Sequence, residues 1–391
     1  MRHIIAGVAF ATAFLLLGIC PADATYIVTD LGTLGGSQST GLGLSENGLV
    51  VGGSYIAGDS KLHPFLWTQG VMQDLGSLAG FGGQAYATGV NSAGTVIGNS
   101  GTSTLGGCCS LGFVYFNGLI DALPLDAATA INEAGLIAGS AHVAPFNQLH
   151  AETWDGQSLT DLRTLRNDYD SATSTANAIS NLGVVTGYST IPDARAFVYE
   201  NGAMSLVDVG AYPLRFSIGY GINDAGDIVG QAGWPNAFTL GFLYSGGQIT
   251  FLQFAPGSDT AAVDINNLGQ IVGNATVHDF DPVRGIYLSS VHSTAFLYDG
   301  STMTDLSQLP ELQAAGFSLI HDVAAINDRG QIVGTGAIGR TYHAFLLTPE
   351  ATSVPEPSTA VLLAVGSVAL PFRARKHRTA GFGPQVAQRF P

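Results

Sequence analysis

The sequence is poor in charged residues, above all basic ones, and this shortage narrows the choice of partners. Charged residues make up 11% of the 391 residues, and only 14 residues are Lys or Arg. Positions 25–350 contain 8 Lys+Arg and 27 Asp+Glu, so this stretch carries a net charge of −19. A body this acidic repels a phosphate backbone. We therefore expect no nucleic-acid partner.

Cysteine is almost as scarce, since only Cys20, Cys108 and Cys109 are present. A metal site needs more Cys or His at short spacing. The adjacent Cys108 and Cys109 could form a vicinal disulfide, an intermolecular bridge or two free thiols, and we favour a structural or incidental role.

No nucleophile elbow, phosphate-binding glycine loop or zinc-ligand spacing occurs. The sequence thus predicts no catalytic residue, metal or cofactor, and we expect a protein that is not an enzyme.

Both ends of the chain differ from its body. The apolar run Ile4–Leu17, followed by Ala22-Asp23-Ala24, predicts a secretory signal peptide over 1–24. At the other end, 351–358 is a Pro-containing linker, 359–372 is a short apolar segment and 373–391 is a basic tail. We interpret the apolar segment as a short transmembrane anchor, with the positive charge behind it in the cytoplasm. The folded body is expected over 25–350.

A repeated unit dominates that body. Ile222–Gly230 reads INDAGDIVG, and six variants of it occur elsewhere. Short polar residues followed by Gly indicate a tight turn, and the Ile/Val-rich run that follows indicates a strand. The mean spacing between copies is 47 residues, with these turn glycines: Gly48, Gly94, Gly135, Gly183, Gly226, Gly269 and Gly330. A period near 40–50 residues with several strands is typical of a propeller.

A second motif recurs in phase with the first. It has apolar or aromatic residues two apart, as in His343–Leu347 (HAFLL), and its copies begin at positions 63, 111, 150, 195, 240, 294 and 343. Six copies are followed by an X-Gly pair, for which we predict type I′ hairpin turns with positive φ at both residues. A fourth strand follows, as in Thr302–Leu306. Each period therefore predicts a four-stranded antiparallel blade.

The two ends of this array complement each other. The seventh copy, His343–Leu347, has no fourth strand after it, whereas the chain body opens on an unpartnered one, Tyr26–Leu31. We predict that this N-terminal strand completes the last blade and removes an open sheet edge. The predicted fold class is all-β: a seven-bladed β-propeller of four-stranded antiparallel blades, with the last blade closed by the N-terminal strand.

Candidate site residues are few. The acids at the turns, where turn formation is favoured over calcium binding, are Glu133, Asp224, Asp227 and Asp328. Three histidines occupy equivalent strand positions, and we favour strand-edge packing or surface exposure over metal binding for them: His63, His150 and His343. The last period is lengthened by an insertion around His278–Ser293. Loop insertions on rigid scaffolds often carry binding, so His278, Asp279 and Asp281 are the weak binding candidates.

Two resemblances follow from these motifs. The paired repeats of the body resemble those of extracellular HAF-repeat proteins, named for the His-Ala-Phe at His343–Phe345. The C-terminus is similar to a PEP-CTERM sorting signal, in which the motif is Val354, Pro355, Glu356, Pro357 and Ser358, followed by the apolar and basic segments. This resemblance implies an exosortase-type membrane protease that cleaves near the motif and releases the protein to a surface associated with exopolysaccharide.

These observations lead to one expectation of function and one alternative. We expect an exported, non-catalytic binding module of the cell surface or extracellular matrix, anchored transiently in the inner membrane and bound to extracellular polysaccharide or surface proteins. The alternative is a secreted propeller hydrolase or lyase that acts on polysaccharide. Because propellers host both classes, the distinguishing feature is whether paired carboxylates meet at one end of the central channel.

Overall fold

The chain forms a closed ring of seven four-stranded antiparallel sheets. In the computed structural model, the described residues are 25–350, without 79–83, 102–109, 145–146, 167–171, 191, 211–214, 236–237 and 282–285. Over these residues the prediction of a seven-bladed β-propeller is confirmed. The predicted signal peptide, Cys20, Cys108, Cys109 and every residue from 351 onward lie outside this description.

The strands follow the order that the repeat predicts. The N-terminal strand is β1 (Tyr26–Asp30), and blade 1 comprises β2 (Gly35–Leu44), β3 (Val50–Ile56), β4 (Leu62–Thr68) and β5 (Val71–Asp74). Blade 2 comprises β6 (Gln84–Val90), β7 (Val96–Gly101), β8 (Ser110–Phe116) and β9 (Leu119–Ala122), and blade 3 comprises β10 (Ala127–Ile131), β11 (Ile137–Val143), β12 (Gln148–Trp154) and β13 (Leu159–Arg163).

The remaining blades have the same order. Blade 4 comprises β14 (Ser174–Ile179), β15 (Val185–Thr190), β16 (Ala194–Glu200) and β17 (Ala203–Leu206), and blade 5 comprises β18 (Phe216–Ile222), β19 (Ile228–Gly233), β20 (Leu240–Ser245) and β21 (Gln248–Leu252). Blade 6 comprises β22 (Ser258–Ile265), β23 (Ile271–Asp281), β24 (Ile286–Tyr298) and β25 (Met303–Asp305), and blade 7 comprises β26 (Phe317–Ile326), β27 (Ile332–Ile338) and β28 (Thr341–Pro349).

Blade 7 is completed by β1, as predicted. All five residues of β1 pair antiparallel with β28, from Tyr26 opposite Pro349 to Asp30 opposite Phe345. The Glu350 N–H donates to the Thr25 carbonyl at 2.8 Å, and the Thr25 hydroxyl donates to the Glu350 carboxylate at 2.9 Å. The first and last described residues therefore close the ring, and β28 has no open edge.

The first repeated motif forms the turn between the first two strands of every blade. In each turn the glycine N–H donates to the carbonyl of the residue three positions earlier, as from Gly226 to Asn223 at 3.1 Å. The seven turn glycines have φ between 70° and 89°, a left-handed conformation that an L side chain rarely adopts. We call the end of the ring that carries these turns the turn face, and the opposite end the loop face.

The second hairpin of each blade corrects one prediction. The predicted type I′ signature, positive φ at both residues, is found at Gln69-Gly70, Asn117-Gly118, Asn201-Gly202 and Gly246-Gly247. It is absent at Asp155 and Asp299, where four-residue loops connect the strands instead. The reason is the Asp side chain: Asp155 Oδ1 accepts from the N–H groups of Gln157 and Ser158 at 2.8 and 2.6 Å, and this Asx turn holds a different backbone.

The aromatic motif supplies the core between blades. Six phenylalanines in the third strands are fully buried: Phe65, Phe113, Phe197, Phe242, Phe296 and Phe345. Each faces a glycine that ends the first motif. A Cβ at Gly273, for example, would lie 2.4 Å from the Phe296 ring and 2.2 Å from the Ala261 carbonyl oxygen. The second glycine of the repeat is therefore required for space, because the Phe ring and the neighbouring strand leave no room for a side chain.

The long interval between the last two turn glycines, Gly269 and Gly330, contains paired strands where the sequence suggested a loop insertion. The insertion around His278–Ser293 is mainly an extension of the hairpin β23–β24, with His278 opposite Val291 and Asp281 opposite Ile286. Part of the extra length lies elsewhere, in a 3₁₀ helix (Leu306–Gln308) and α1 (Pro310–Ala314) between blades 6 and 7. Within the described ranges, no helix has the length and apolar character to cross a membrane. The anchor predicted at 359–372 lies outside them.

Candidate functional site

The central channel opens on the turn face into a cavity of about 460 Å³. Its wall is formed by the innermost strands, which all contain a β-bulge at the same position, such as the one between Ala262 and Asp264. Bulges re-aim side chains next to sites, and here bulged residues donate to the next blade. Thr88 Oγ1 donates to the Ala128 carbonyl, Thr129 Oγ1 to the Ala176 carbonyl and Asn177 Nδ2 to the Gly219 carbonyl, at 2.8–2.9 Å.

The acids of the turn face form a belt of hydrogen bonds between blades. Asp224 Oδ1 accepts from the Asn181 N–H at 2.7 Å, and the Asp224 N–H in turn donates to Asn267 Oδ1 at 2.8 Å. The same bond, from a backbone N–H of one turn to a side-chain oxygen in the turn of the next blade, occurs at six junctions of the ring. The first donor is Ser92, and the acceptors in order are Glu133, Asn181, Asp224, Asn267, Asp328 and Glu46. The junction between blades 1 and 2 is bridged by Asn47, which donates to the Ser92 carbonyl at 3.0 Å.

This belt corrects the interpretation of the turn acids. Of the candidates, only Asp227 bonds within its own turn, accepting from Asn223 Nδ2 at 3.2 Å. The carboxylates of Glu133, Asp224 and Asp328 instead accept backbone N–H groups of the preceding blade. Sequence reasoning missed this because a hydrogen bond between repeats is not a property of any single repeat.

One carboxylate in the cavity departs from the repeat. Asp264 stands two residues before the turn, where the other blades have only Gly or Ala: Gly43, Gly89, Ala130, Ala178, Gly221 and Ala325. Its carboxylate accepts from the N–H groups of Ile265 and Ile326, both at 2.9 Å. Burial raises the pKa of Asp264 to about 7, against the lowering effect of those two N–H donors. Aligning the repeats at their turns would have revealed this residue.

Glu46 is the second acid of the cavity with a shifted pKa. Burial raises the pKa of Glu46, the Asp328 N–H lowers it, and the negative charges of Asp328 and Glu133 raise it further. The cavity wall also contains Tyr220, and burial raises the pKa of its hydroxyl. The channel end is therefore acidic, but both carboxylates already accept hydrogen bonds from the backbone. Glu46 accepts from the Asp328 N–H, and Asp264 accepts from the Ile265 and Ile326 N–H groups.

The three motif histidines lie within hydrogen-bond distance of aspartates at the loop-face end of their blades. Each Nδ1 lies 2.9–3.0 Å from an Asp of the fourth strand, in the pairs His63–Asp74, His150–Asp161 and His343–Asp30. The three histidine side chains are 15–20% exposed, consistent with the predicted packing at the strand edge. Since β1 supplies Asp30, the pair in blade 7, His343–Asp30, joins the two ends of the body.

Blade 3 has an acid where the others have a core phenylalanine. Glu152 occupies the Phe position of the aromatic motif and is 4% exposed. Burial raises the pKa of Glu152 to about 7, and the carboxylates of Asp161 and Asp126 contribute to the rise. The signal was visible in the sequence, because His150–Trp154 (HAETW) is the only copy with an acid at this position.

Of the predicted binding candidates, His278 lies near a second cavity, on the loop face. His278 Nε2 is 3.1 Å from Asp259 Oδ2, and the His278 ring lies 5.3 Å from that of Phe238. Asp259 lines a cavity of about 250 Å³ between blades 5, 6 and 7. Asp279 and Asp281 belong to β23, but their side chains lie outside the description. The structure thus brings His278 to the rim of a cavity and leaves the other two candidates untested.

Metal binding gains no support from the geometry. Among the side chains that the structure describes, no group of three or more His, Cys, Asp or Glu is arranged to hold a metal ion. The sorting motif, Val354 to Ser358, falls outside the described ranges.

Comparisons with known proteins provide similar structures but no family. No protein-family model matches the sequence, and a search of curated proteins finds no similar sequence. Similar solved structures include the extracellular domain of the putative one component system BT4673 from B. thetaiotaomicron, with 14% identity and a TM-score of 0.48 over 83% of this chain. This chain spans 40% of that structure.

Two enzymes are also similar at this level. An oligogalacturonate lyase in complex with manganese has 11% identity and a TM-score of 0.49, with 84% of this chain and 94% of that one covered. One of two analysed prolyl endopeptidases has 10% identity and a TM-score of 0.47, with 80% of this chain and 46% of that one covered.

Proposed function

We propose that this protein is an exported, non-catalytic binding module of the cell surface or extracellular matrix. In this proposal the protein is of the HAF-repeat kind that its motifs resemble. Its signal peptide over 1–24 is removed, and it is sorted through the motif at Val354–Ser358. The processing partner would be an exosortase-type membrane protease, and the bound partner an extracellular polysaccharide or a surface protein.

One observation carries the non-catalytic part of the proposal. Glu46, Glu133, Asp224, Asp328 and Asp264 at the channel end each accept backbone N–H groups, and all these bonds except one to Asp264 cross between blades. A general acid or base must exchange its proton with a substrate within hydrogen-bond reach. A carboxylate that holds the ring together serves that role poorly, because protonation weakens the charge-assisted bond.

The alternative is a secreted hydrolase or lyase that acts on polysaccharide. Asp264 favours it, since a cavity carboxylate with a pKa of about 7 is suited to proton transfer. The two N–H groups on Asp264 argue for the structural role instead.

The test is a binding survey with the mature protein, residues 25–350. Immobilised polysaccharides and proteins from the surface of the producing cell are probed with the labelled protein, with heat-unfolded protein as the control. The proposal predicts saturable binding to at least one class. Absence of binding to both classes would overturn it.

A further inference from the structure

Three departures of the backbone from the repeat lie close together, in blades 6 and 7. The extended hairpin β23–β24 belongs to blade 6, and the helical insertion Leu306–Ala314 connects blades 6 and 7. The innermost strand of blade 7, β26, has three register shifts, whereas those of blades 2–6 have one each. Bulges of this kind are frequent next to binding sites. The cavity of about 250 Å³ is lined by residues of β23, β24 and β26, and the Thr294 hydroxyl of its wall donates to Ser307 of the helical insertion at 3.1 Å.

Asp322 is the unusual side chain of this cavity. It stands five residues before the turn of blade 7, where the other blades have no acid: Thr40, Tyr86, Ala127, Thr175, Ile218 and Ala261. A register shift places His321 beside it, and Asp322 Oδ2 pairs with His321 Nδ1 at 2.8 Å. The Asp322 side chain is 36% exposed, but its Oδ1 atom is buried and has no hydrogen-bond partner among the residues that the structure describes. Such an acceptor is costly to leave unsatisfied.

The other polar groups of the wall are mostly engaged. Asp259 Oδ1 accepts from the Thr239 N–H and hydroxyl at 2.7 and 2.8 Å, and its Oδ2 faces His278. Asn274 forms two hydrogen bonds with the backbone of Val323, at 2.9 and 3.1 Å. Among the described residues of the wall, the polar groups without a hydrogen-bond partner include the Asp322 acceptor and two hydroxyls that face each other across β23 and β24, those of Thr276 and Ser293.

These observations select the ligand. Among the residues that the structure describes, the side chains that line the cavity include two carboxylates, Asp259 and Asp322, and no Lys or Arg, so they repel an anionic ligand. A hydroxyl group donates to a carboxylate and exchanges hydrogen bonds with Thr and Ser. Outside the wall, Tyr342 has a partly exposed amphipathic ring that lies 5.4 Å from the ring of the cavity residue His321. The volume is just below the ~300–1,000 Å³ of typical ligand sites, which suits one ring of a longer chain.

We propose that the cavity between blades 5, 6 and 7 binds one residue of a neutral, hydroxyl-rich saccharide, with the Asp322 carboxylate as the acceptor for a ligand hydroxyl. This inference rests on the proposed binding function and specifies its ligand class and place. Asp322 is a binding residue here, and Thr276 and Ser293 complete the polar wall.

The test measures binding by calorimetry with residues 25–350. The probes are cellotetraose (neutral), tetraglucuronate (anionic), a glucosamine tetramer (cationic) and calcium chloride. The variants are Asp322→Asn and Thr276→Val, and the matched control is Asp74→Asn, which removes the carboxylate of a similar His–Asp pair on blade 1. Melting temperatures confirm that each variant is folded.

We expect binding of the neutral tetramer, and a loss of affinity of about tenfold or more in Asp322→Asn. Thr276→Val should weaken binding by a smaller factor, and Asp74→Asn should leave it unchanged. Wild-type affinity in both cavity variants overturns the proposed place, and preference for the anionic or cationic probe, or for calcium, overturns the ligand class. If no saccharide binds but a surface protein does, this inference fails while the proposed function stands. If neither binds, both fail.

Discussion

The N–H of Asp328 donates to Glu46 Oε2 at 3.0 Å, across 282 positions of sequence. Beside this bond, Asn327 Nδ2 donates to the Ser45 carbonyl at 3.0 Å. Both bonds join blade 7 to blade 1. The ring is therefore closed twice, at its outer edge by β1 and at the channel by the belt of turn residues.

The outer closure predicts a large loss of stability on truncation. Deleting 25–31 should expose Phe345 and Leu347, which are fully buried, at a cost of about 1.5–3 kcal/mol for each side chain. The ladder bonds of β1 add ~1 kcal/mol each. We expect the truncated protein to aggregate or to melt far below the full protein in scanning calorimetry. An unchanged melting temperature would mean that β1 does not support blade 7.

A disulfide at the same closure should have the opposite effect. Val28 lies directly opposite Leu347 in the register of β1 and β28. In a background of Cys108→Ser and Cys109→Ser, the pair Val28→Cys and Leu347→Cys should oxidise readily and raise the free energy of unfolding by about 2–4 kcal/mol. The reduced protein is the control. Failure of the two thiols to react would contradict the register.

The belt predicts unequal effects of two acids in one turn. Asp224 accepts hydrogen bonds from Asn181 in the neighbouring blade, whereas Asp227 accepts only from Asn223 in its own turn. Asp224→Ala should lower the free energy of unfolding by about 1–3 kcal/mol, because it leaves a backbone donor without its charged acceptor. Asp227→Ala is the matched control, for which we expect well under half of that loss in urea unfolding. Equal losses would show that the belt does not stabilise the ring.

Glu152 predicts a pH dependence of stability. Its folded pKa of about 7 lies above the ~4.3 of an unfolded chain, so the folded state binds the proton more tightly. Stability should therefore fall as the pH rises from about 4 to about 7. Glu152→Gln should reduce the difference in unfolding free energy between pH 5 and pH 8 by up to about 3 kcal/mol. Glu200→Gln, at an exposed strand end, is the control. A wild-type pH profile in Glu152→Gln would contradict the burial of a carboxylate there.

The fold was readable from the sequence because its determinants are local and recur. The turn glycines, the aromatic strand and the X-Gly hairpins specify one blade, and the unpartnered strand at Tyr26–Leu31 specifies closure. The residues that depart from the repeat were harder to interpret. Asp264, Glu152 and Asp322 are single departures whose meaning depends on what surrounds their position in the folded blade, and the belt requires two blades side by side. The hairpin at 278–293 was located correctly but interpreted as a loop, since its strand pairing is not apparent from composition.

The most direct test of the central claim, a binding module without catalysis, is a search for product. Each polysaccharide that the protein binds is incubated with residues 25–350, and released oligosaccharides are measured by mass spectrometry beside an Asp264→Asn control. We predict no release above background for either protein, although the wild type binds. Oligosaccharides released by the wild type and absent with Asp264→Asn, at an unchanged melting temperature, would contradict the account and establish the hydrolase or lyase in its place.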